Sequence, residues 1–474
     1  MTDAYSSGDR ADLPDHPEQP DPARMAALAR RATLASAVGT TIEYYDFFAY
    51  GTAGALVFGK IFFPKASSTA GLLAVFAIFA AGFAVRPLGG IFFGHLADRA
   101  GRKSVLVATL SAMGLATFGI GLLPTYAAVG VWAPVLLVFL RLVQGFALGG
   151  EWGSATVFVS EYAPRGKRGL FGAMVQNGSP AGLLLGSGLF AVMELLPKSS
   201  FDSWGWRVPF MLSLVIVAIG LYIRLNILES PEFLRAVKDL GKPSRPLVTA
   251  VREQPRHVLA TIGVRFAPDI MFYVAATFMV SYAHDHLGVA SGTVLAGVSL
   301  AAAIELFTVP AFGRLSDRIG RKPVYVGGAI CCAIMAFPLF AMTATKVTGL
   351  VWLALIITFT VCHASQWSVG AALYSELFDT EYRCSGTSLG YNIALSTGGG
   401  PAPFIATALV AAAGTWWPVS LYLIGAAVIT LISMFSVRET HHRDLADSLA
   451  SPGAARVPDL ALDRGTPVTQ AEGE

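Results

Sequence analysis

Twelve mostly apolar stretches follow one another along this 474-residue chain. Each is about 20 residues or longer, which is the length that a helix needs to cross the roughly 30 Å hydrocarbon core of a bilayer. The balance of 54% hydrophobic and 14% charged residues agrees with a membrane protein. We therefore predict an all-α polytopic membrane protein with spans at residues 33–58, 70–94, 104–124, 131–159, 169–196, 207–226, 257–283, 291–312, 323–342, 349–375, 385–411 and 419–437.

Basic residues orient these spans. If both termini are cytoplasmic, the outer loops hold only Lys60, Lys65, Lys198 and Lys346, and most other Lys and Arg residues lie on the cytoplasmic side. This excess follows the positive-inside bias of membrane proteins. The net charge of +3 then reflects topology and indicates no nucleic-acid partner. We expect a multi-pass protein of the plasma membrane with both termini in the cytoplasm.

The chain contains an internal repeat. GHLADRAGRKSVLV begins at Gly94 and GRLSDRIGRKPVYV begins at Gly313, with nine identical positions of fourteen at an offset of 219 residues. A second pattern, in which a Glu precedes an Arg by seven positions, recurs at an offset of 215 in Glu161–Arg168 and Glu376–Arg383. A duplicated unit of six spans predicts two helical halves around a site near the midplane.

The repeat divides the chain into five parts. Residues 32–226 form the first six-helix half, and residues 257–437 form the second. The basic segment 227–256 is the cytoplasmic linker between them. Residues 1–31 and 438–474 are polar and rich in Pro, Asp or Arg, so they are predicted to be disordered cytoplasmic tails.

Several of these motifs resemble one known family. The G-x-L-x-D-R-x-G-R-K loop between spans 2 and 3, echoed between spans 8 and 9, is similar to the signature of the major facilitator superfamily. The stretches IEYYDFFAYG, RPLGGIFFGHLADRAGRK, RLVQGFALGGEWGSA and WGWRVPF resemble its metabolite:proton symporters. The resemblance implies twelve helices in two six-helix halves, alternating access and a proton gradient as the energy source, with no cofactor.

The repeated loop motif has a physical role of its own. Asp98 and Arg102 lie four positions apart at a Gly-containing turn, where a carboxylate can cap a helix N-terminus and an arginine can tie helix ends together. We predict a cytoplasmic latch that favours the outward-facing state, formed by Asp98, Arg102, Glu161, Arg168, Asp317, Arg321, Glu376 and Arg383. The alternative is that these residues are topological anchors with incidental salt bridges.

Ionisable residues inside the membrane are costly, so they usually face the bundle interior and have a function. In span 4, Arg141, Gln144, Glu151 and Trp152 share one face. A ridge of small residues at 145, 149 and 153 partly overlaps this face and lets another helix approach closely. Because a guanidinium suits a carboxylate, we expect Arg141, with Gln144 and Trp152, to contact an anionic substrate. The alternative for Arg141 is an internal ion pair with Glu43, Asp46 or Glu151.

Further polar residues are assigned to the same predicted site. Arg265 and Asp269 lie one helical turn apart in span 7, with Tyr273 a turn further on, so they can pair within the helix as a static pair or exchange partners with substrate. His363 in span 10 has two alternatives, a functional group or a hydrogen-bonded structural residue. The remaining predicted substrate contacts are Tyr45, Asn177, Gln366, Trp367 and Asn392. 

Arg86 precedes Pro87 about two turns from the cytoplasmic end of span 2. The family resemblance implies a role in coupling or gating, and snorkelling toward the cytoplasm is the alternative.

Glu43 and Asp46 lie in the middle of span 1, at i and i+3. Repulsion between two acids and their desolvation both favour a bound proton. We therefore predict that Asp46, Glu43 and Glu151 take part in proton coupling. The alternative is a permanent pair between a carboxylate and an arginine, and the sequence does not decide whether Glu43 or Asp46 carries the proton.

These observations predict a proton-coupled symporter that imports a small polar metabolite by alternating access. Three buried arginines favour an organic acid, and the resemblance implies one similar to shikimate or 2-oxoglutarate. The alternatives are a proline or betaine symporter, or an uncoupled facilitator or exporter of the same fold. The sequence shows no metal-ligand cluster, nucleophile elbow or phosphate-binding loop, so we expect no enzyme activity and no metal. The expected partners are substrate, proton and bilayer, and the expected state is a monomer.

Overall fold

The structure, a computed structural model, describes residues 22–100, 102–149, 159–160, 163–164, 166–228, 251–379 and 383–441. Within these ranges the chain forms helices and turns without a β-strand. Twelve helical segments of the described residues correspond to the predicted spans, and we label them α1 to α12. Several of them are interrupted by π-helical turns.

The first six helices contain the following segments. α1 runs through Pro22–Ala53, Gly54–Phe58 and Gly59–Phe62; α2 through Ser68–Ala84 and Arg86–Ala100; α3 is Arg102–Leu122; α4 is Trp132–Leu148; α5 is Arg168–Gln176 and Gly178–Met193; and α6 is Phe201–Gly205 and Arg207–Leu228. Short helices at Tyr126–Val129 and Lys198–Ser200 lie between them.

The last six helices follow the same plan. α7 runs through Pro255–Val264, Phe266–Tyr273, Val274–Phe278 and Met279–Leu287; α8 is Ser291–Ile319; α9 is Arg321–Ala344; α10 is Thr348–Ile357, Thr358–His363 and Ala364–Leu377; α11 is Arg383–Ala394, Leu395–Gly399 and Ala402–Ala413; and α12 is Trp417–Ser436.

Seven helices of the described part are long and apolar enough to cross a membrane, and an eighth is added if Lys198–Gly205 and Arg207–Tyr222, bent by 43°, count as one span. Shorter apolar helices lie at Val107–Leu122 and Trp132–Leu148. Large apolar side chains such as Phe307, Ile432 and Phe435 are exposed, whereas the central part of α7, residues 260–283, is buried at almost every position. The exposed apolar surface is the side that faces lipid.

α1 begins at Pro22, so residues 22–31, predicted to belong to a disordered tail, are helical. The segment PARMAALARR has Pro at the first helical position and then mostly strong helix formers, which explains the early start.

Glycines at positions 145 and 149 allow the backbones of α4 and α2 to come into close contact, as the predicted ridge of small residues requires. A Cβ added to Gly145 would lie 1.8 Å from the carbonyl oxygen of Gly82, and one added to Gly149 would lie 1.9 Å from that of Arg86. Only glycine permits such backbone contact. 

The first six and the last six helices meet through α5 with α8 and α10, through α2 with α11, and through α1 with α7.

Candidate functional site

Glu43 and Arg86 form a buried ion pair between α1 and α2. Arg86 Nη2 donates to Glu43 Oε1 at 2.7 Å, and both side chains are almost fully buried. The Arg86 guanidinium also lies near the rings of Phe47, Phe83 and Tyr391, at 5.3–5.8 Å. Arg86 therefore points into the bundle and does not snorkel toward the cytoplasm.

Asp46 lies at one end of a chain of hydrogen bonds. Thr117 Oγ1 on α3 donates to Asp46 Oδ2 at 2.7 Å and accepts from Gln144 Nε2 at 2.6 Å. Arg141 Nη1 in turn donates to Gln144 Oε1 at 3.2 Å. The two acids of α1 are thus separated: Glu43 contacts Arg86, and Asp46 is linked to Arg141 only through two neutral side chains.

Arg141 is surrounded by aromatic rings. Its guanidinium carbon lies 4.5 Å from the centre of the Tyr50 ring, 4.7 Å from Phe79, 5.0 Å from Phe47 and 5.6 Å from Phe83. Its Nε and Nη2 atoms are buried and have no hydrogen-bond partner among the described residues. Such cation–π contacts stabilise the charge and leave its hydrogen-bond donors available.

Space for Arg141 comes from a glycine on α2. A Cβ added to Gly82 would lie 2.7 Å from Arg141 Nε. A larger residue at this position would therefore displace the guanidinium.

Arg265 and Asp269 pair within α7, as their spacing predicts. Arg265 Nη2 donates to Asp269 Oδ1 at 2.7 Å, and Nε donates to Oδ2 at 3.0 Å. The guanidinium also lies 4.0 Å from the Tyr391 ring centre and 5.2 Å from that of Trp367. This two-bond geometry holds Arg265 firmly toward its own helix. 

His363 pairs with an acid that the sequence reasoning did not connect to it. His363 Nδ1 lies 2.5 Å from Glu305 Oε1 on α8, and both side chains are buried. The imidazole ring stacks on Phe272 at 4.3 Å and on Trp367 at 5.2 Å.

Other predicted substrate contacts are engaged with the backbone. Tyr45 donates to the Pro209 carbonyl on α6, Asn177 to that of Leu306 on α8, and Trp367 to that of Gln176 on α5. Asn392 donates to the carbonyls of Gly149 and Ser388, and Gln366 to that of Cys362. Tyr273 has a buried hydroxyl without a hydrogen-bond partner among the described residues. Their roles as substrate contacts stay predictions.

Asp317 joins the C-terminal end of α8 to the start of α5. Its two carboxylate oxygens accept from the backbone N–H groups of Gly169, at 2.8 Å, and Leu170, at 2.9 Å, at the start of α5. Arg321 donates to Asp317 at 2.7 Å and to Glu376 at 3.2 and 3.3 Å. The second copy of the loop motif thus caps a helix of the first six.

The start of the predicted C-terminal tail contacts the same cluster. Thr440 Oγ1 donates to Glu376 Oε2 at 2.6 Å. Glu439 accepts from the backbone N–H groups of Arg321 and Lys322, both at 2.9 Å, and so caps the start of α9.

Some predicted residues lie outside the described part of the chain. This holds for Glu151, Trp152 and Glu161, and for the side chains of Asp98 and Arg102. Arg168 and Arg383 lie at the starts of α5 and α11, and their role in a latch stays a prediction.

Sequence reasoning missed Thr117 and the pairing of Glu305. Thr117 is an uncharged residue in an apolar helix and gives no signal of its own. Glu305 is visible as an acid inside a span, but only the packing of α8 against α10 shows its partner.

A cavity of about 160 Å³ lies among α2, α7 and α11, at the end of the bundle opposite Asp317. Ser68, Asp285, His286 and Thr407 are among its lining residues. It contains none of the predicted site residues.

Comparison with known proteins places these observations in context. The family model described as "Major Facilitator Superfamily" matches residues 36–393 and 306–463. The chain is 37% identical to the shikimate transporter of Escherichia coli K12 over 89% of this chain and 98% of that one. It is 40% identical to the E. coli K12 inner membrane metabolite transport protein YhjE, over 88% and 95%. It is 35% identical to the proline/betaine transporter of Salmonella typhimurium LT2, over 90% and 87%.

Solved structures of similar fold include the xylose transporter XylE from E. coli in a partially occluded inward-open conformation. The TM-score is 0.68 at 18% identity, over 88% of this chain and all of that one. At this identity the likeness concerns the fold alone.

Proposed function

Since this chain belongs to the major facilitator superfamily, we propose that it is a proton-coupled symporter that imports a small organic acid by alternating access. Members of the superfamily are transporters that need no cofactor, so the protein is a multi-pass membrane transporter and not an enzyme. The family and the twelve-helix fold class predicted from the sequence are confirmed.

One observation carries the proposal. Arg141 is a buried cation with free donors, held by aromatic rings instead of a carboxylate among the described residues, and it is linked through Gln144 and Thr117 to Asp46. A buried guanidinium whose donors lack partners gains most from a carboxylate ligand. The hydrogen-bond chain gives a route by which the anion and a proton on Asp46 can affect each other.

The mechanism follows from this route. When a substrate carboxylate binds Arg141, the guanidinium charge is compensated and its bond to Gln144 can break. Gln144 and Thr117 then reorient, which changes the hydrogen bond and the field at Asp46. Asp46 therefore exchanges its proton in step with substrate binding, and Glu43, held by Arg86, keeps a fixed charge. We propose Asp46 as the proton carrier of α1 for this reason.

The substrate class rests on two further points. The E. coli relative named for shikimate, a hydroxylated carboxylate, aligns over nearly its whole length. The relative named for proline and betaine supports a zwitterion as the second candidate. Arg141 already places a positive charge among the aromatic rings that surround it, and that charge repels a substrate ammonium group as long as Arg141 stays in place. This favours an acid similar to shikimate or 2-oxoglutarate.

The contacts at the cytoplasmic ends support the proposed latch. Asp317, Arg321 and Glu376 connect α8, α9 and α10, and Asp317 also binds the start of α5. The bonds of Asp317 to α5 must break when the cytoplasmic side opens, so we propose that this cluster stabilises the outward-facing side of the cycle.

We also propose both termini in the cytoplasm, from the distribution of basic residues. A plasma-membrane location, a monomeric state and division into halves at residues 32–226 and 257–437 complete the proposal. An uncoupled facilitator or an exporter would use the same fold, so transport measurements are needed to distinguish these from a symporter.

Uptake into proteoliposomes tests the proposal. The purified protein is reconstituted, and labelled shikimate, 2-oxoglutarate, citrate, proline and betaine are offered with and without an inward proton gradient. We expect an acid of this panel to accumulate against its gradient, and a protonophore to abolish the accumulation. Asp46→Asn is expected to remove proton-driven accumulation, and Arg141→Gln to remove uptake. Uptake that is unchanged by the protonophore and by the Asp46→Asn substitution would refute symport.

Two matched variants serve as controls. Asp285→Asn makes the same substitution as Asp46→Asn, but at a residue that lines the cavity near one end of the bundle. Arg314→Gln makes the same substitution as Arg141→Gln, but at an exposed arginine of α8. Both are expected to accumulate substrate as the unmodified protein does. Preference for betaine over every acid would refute the substrate class but leave symport standing.

A further inference from the structure

Glu305 and His363 form an isolated acid–base pair in the last six helices, and the transport mechanism above does not use it. We propose that this pair is a second proton-binding site, which binds and releases one proton in each cycle independently of Asp46. The inference rests on the proposed proton-coupled function and extends it to the number of protons carried.

The geometry of the pair suits a shared proton. His363 Nδ1 and Glu305 Oε1 lie 2.5 Å apart, and the two side chains are 1% and 0% exposed. The second carboxylate oxygen, Oε2, is buried without a hydrogen-bond partner among the described residues. No other hydrogen bond or ion pair of the described part compensates the Glu305 carboxylate.

The net charge of the Glu305–His363 pair depends on whether it holds one proton. With one proton between them, the imidazole and the carboxyl group are neutral as a unit, whether the proton lies on nitrogen or on oxygen. Without that proton, the unit carries a buried negative charge, which costs several kcal/mol if it stays uncompensated. The pair therefore holds its proton when the helices are closed around it, and it can release the proton when one side opens to water.

Neighbouring charges do not replace the proton. On α7, Asp269 is paired bidentately with Arg265. On α9, Cys332 contacts Gln366, and on α10 the thiol of Cys362 contacts that of Cys331.

The residues of α1 and α5 that lie near the Glu305–His363 pair are uncharged. α1 presents Tyr44, whose ring lies 5.8 Å from that of Trp367. α5 presents Gln176 and Asn177; its titratable residue Arg168 lies at its start, and Glu194 follows directly after its end. Within the described residues, His363 is thus the only base that contacts Glu305.

The Glu305–His363 pair also lies next to contacts between α5 and the helices α8 and α10. Trp367 stacks on His363 and donates from Nε1 to the Gln176 carbonyl on α5 at 3.0 Å. Asn177 Nδ2 donates to the carbonyl of Leu306, the residue after Glu305, at 3.0 Å. Both bonds join the first six helices to the last six at the break in α5. Separation of α5 from α8 and α10 would therefore expose the pair, and this couples proton release to the conformational change.

A spectroscopic titration tests the site without any substrate. The full chain in lipid nanodiscs is titrated with acid, and infrared difference spectra record protonation of carboxyl groups while tryptophan fluorescence records the charge on the imidazole that stacks on Trp367. If the proton lies on oxygen, Glu305→Gln should remove one titrating carboxyl signal; if it lies on nitrogen, His363→Gln and Trp367→Phe should each remove a pH-dependent change of fluorescence. Infrared and fluorescence titrations that are the same in Glu305→Gln and His363→Gln as in the unmodified protein would overturn the proposal.

A flux measurement tests the proton count. In proteoliposomes with labelled shikimate, the membrane potential at which net flux stops gives the number of protons per substrate. We expect Glu305→Gln and His363→Gln to lower this number by one, and the matched variants Glu194→Gln and His284→Gln to leave it unchanged. An unchanged number in Glu305→Gln, with a normal melting temperature, would show a merely structural pair and overturn the inference.

The two proposals fail in different ways. If shikimate flux in the unmodified protein does not respond to a proton gradient, the proposed symport with this acid is refuted, and the spectroscopic titration still decides whether the pair binds a proton. If flux is proton-coupled but insensitive to Glu305→Gln, only the second site is refuted. Should Glu305→Gln fail to fold, Glu305→Asp replaces it, since the shorter acid keeps the charge but retracts it from His363.

Discussion

Replacement of Asp317 by Asn is expected to open the end of the bundle that we propose to face the cytoplasm. Asp317 accepts two hydrogen bonds from the start of α5, at 2.8 and 2.9 Å, and one from Arg321 at 2.7 Å. An amide keeps one acceptor oxygen but loses the charge, so at least one charge-assisted bond is lost and the others weaken. A hydrogen bond to a charged group contributes about 1.5–3 kcal/mol.

A loss of about 2 kcal/mol corresponds to a roughly 30-fold change in an equilibrium constant, since about 1.4 kcal/mol is tenfold. The bonds of Asp317 to α5 form when this end of the bundle is closed and not when it is open, so the ratio of open to closed molecules should rise by this factor.

A buried cysteine reports the opening. Ala371 on α10 is buried, and its Cβ lies 3.1 Å from the position of a Cβ added to Gly172 of α5. In a background without native cysteines, Ala371→Cys should react with a maleimide only when α5 and α10 separate. The reaction should be roughly 30-fold faster with Asp317→Asn, in proportion to the open population.

Asp202→Asn is the matched control. Asp202 pairs with Lys198 at 3.4 Å at the opposite end of the bundle, and both side chains are exposed. Exposed pairs contribute about 0–1 kcal/mol, so the labelling rate should not change. An unchanged rate in Asp317→Asn, in protein with a normal elution profile and melting temperature, would refute the latch.

Three further outcomes are expected. Gly169→Val should abolish transport and speed the same labelling, because its Cβ would lie 2.4 Å from Arg321 Nη1, whereas Gly327→Val, with nothing within 4 Å, should do neither. Thr117→Val should lower stability by about 1–3 kcal/mol and reduce uptake, since it leaves two buried hydrogen-bonding groups unpaired; a normal melting temperature would contradict this. Partial burial raises the pKa of Glu439, but hydrogen bonds from four backbone N–H groups outweigh it and hold the pKa below its usual value. Because the folded-state pKa is lowered, the contact stabilises the fold above the usual pKa of a Glu and is lost as the pH falls through the lowered value. The melting temperature of Glu439→Gln should therefore lie below that of the unmodified protein at neutral pH and meet it in acid.

The sequence by itself determined the number of spans, the duplication and the family. These follow from local properties: the length of an apolar stretch, the spacing of a repeated loop and the distribution of basic residues among the loops. It also predicted the Arg265–Asp269 pair, because residues four apart on one helix meet whatever the helix packs against. The acids and arginines of the site were visible for the same reason, as charges in apolar helices.

Only the tertiary structure decided which of these groups meet. Glu43 pairs with Arg86 and not with Arg141, Asp46 reaches Arg141 only through Thr117 and Gln144, and Glu305 binds His363 on another helix. A membrane helix is apolar on most sides, so its sequence does not fix which face turns toward which neighbour. That rotation is set by close backbone contacts such as the one at Gly145, and it alone determines the partner of each buried charge.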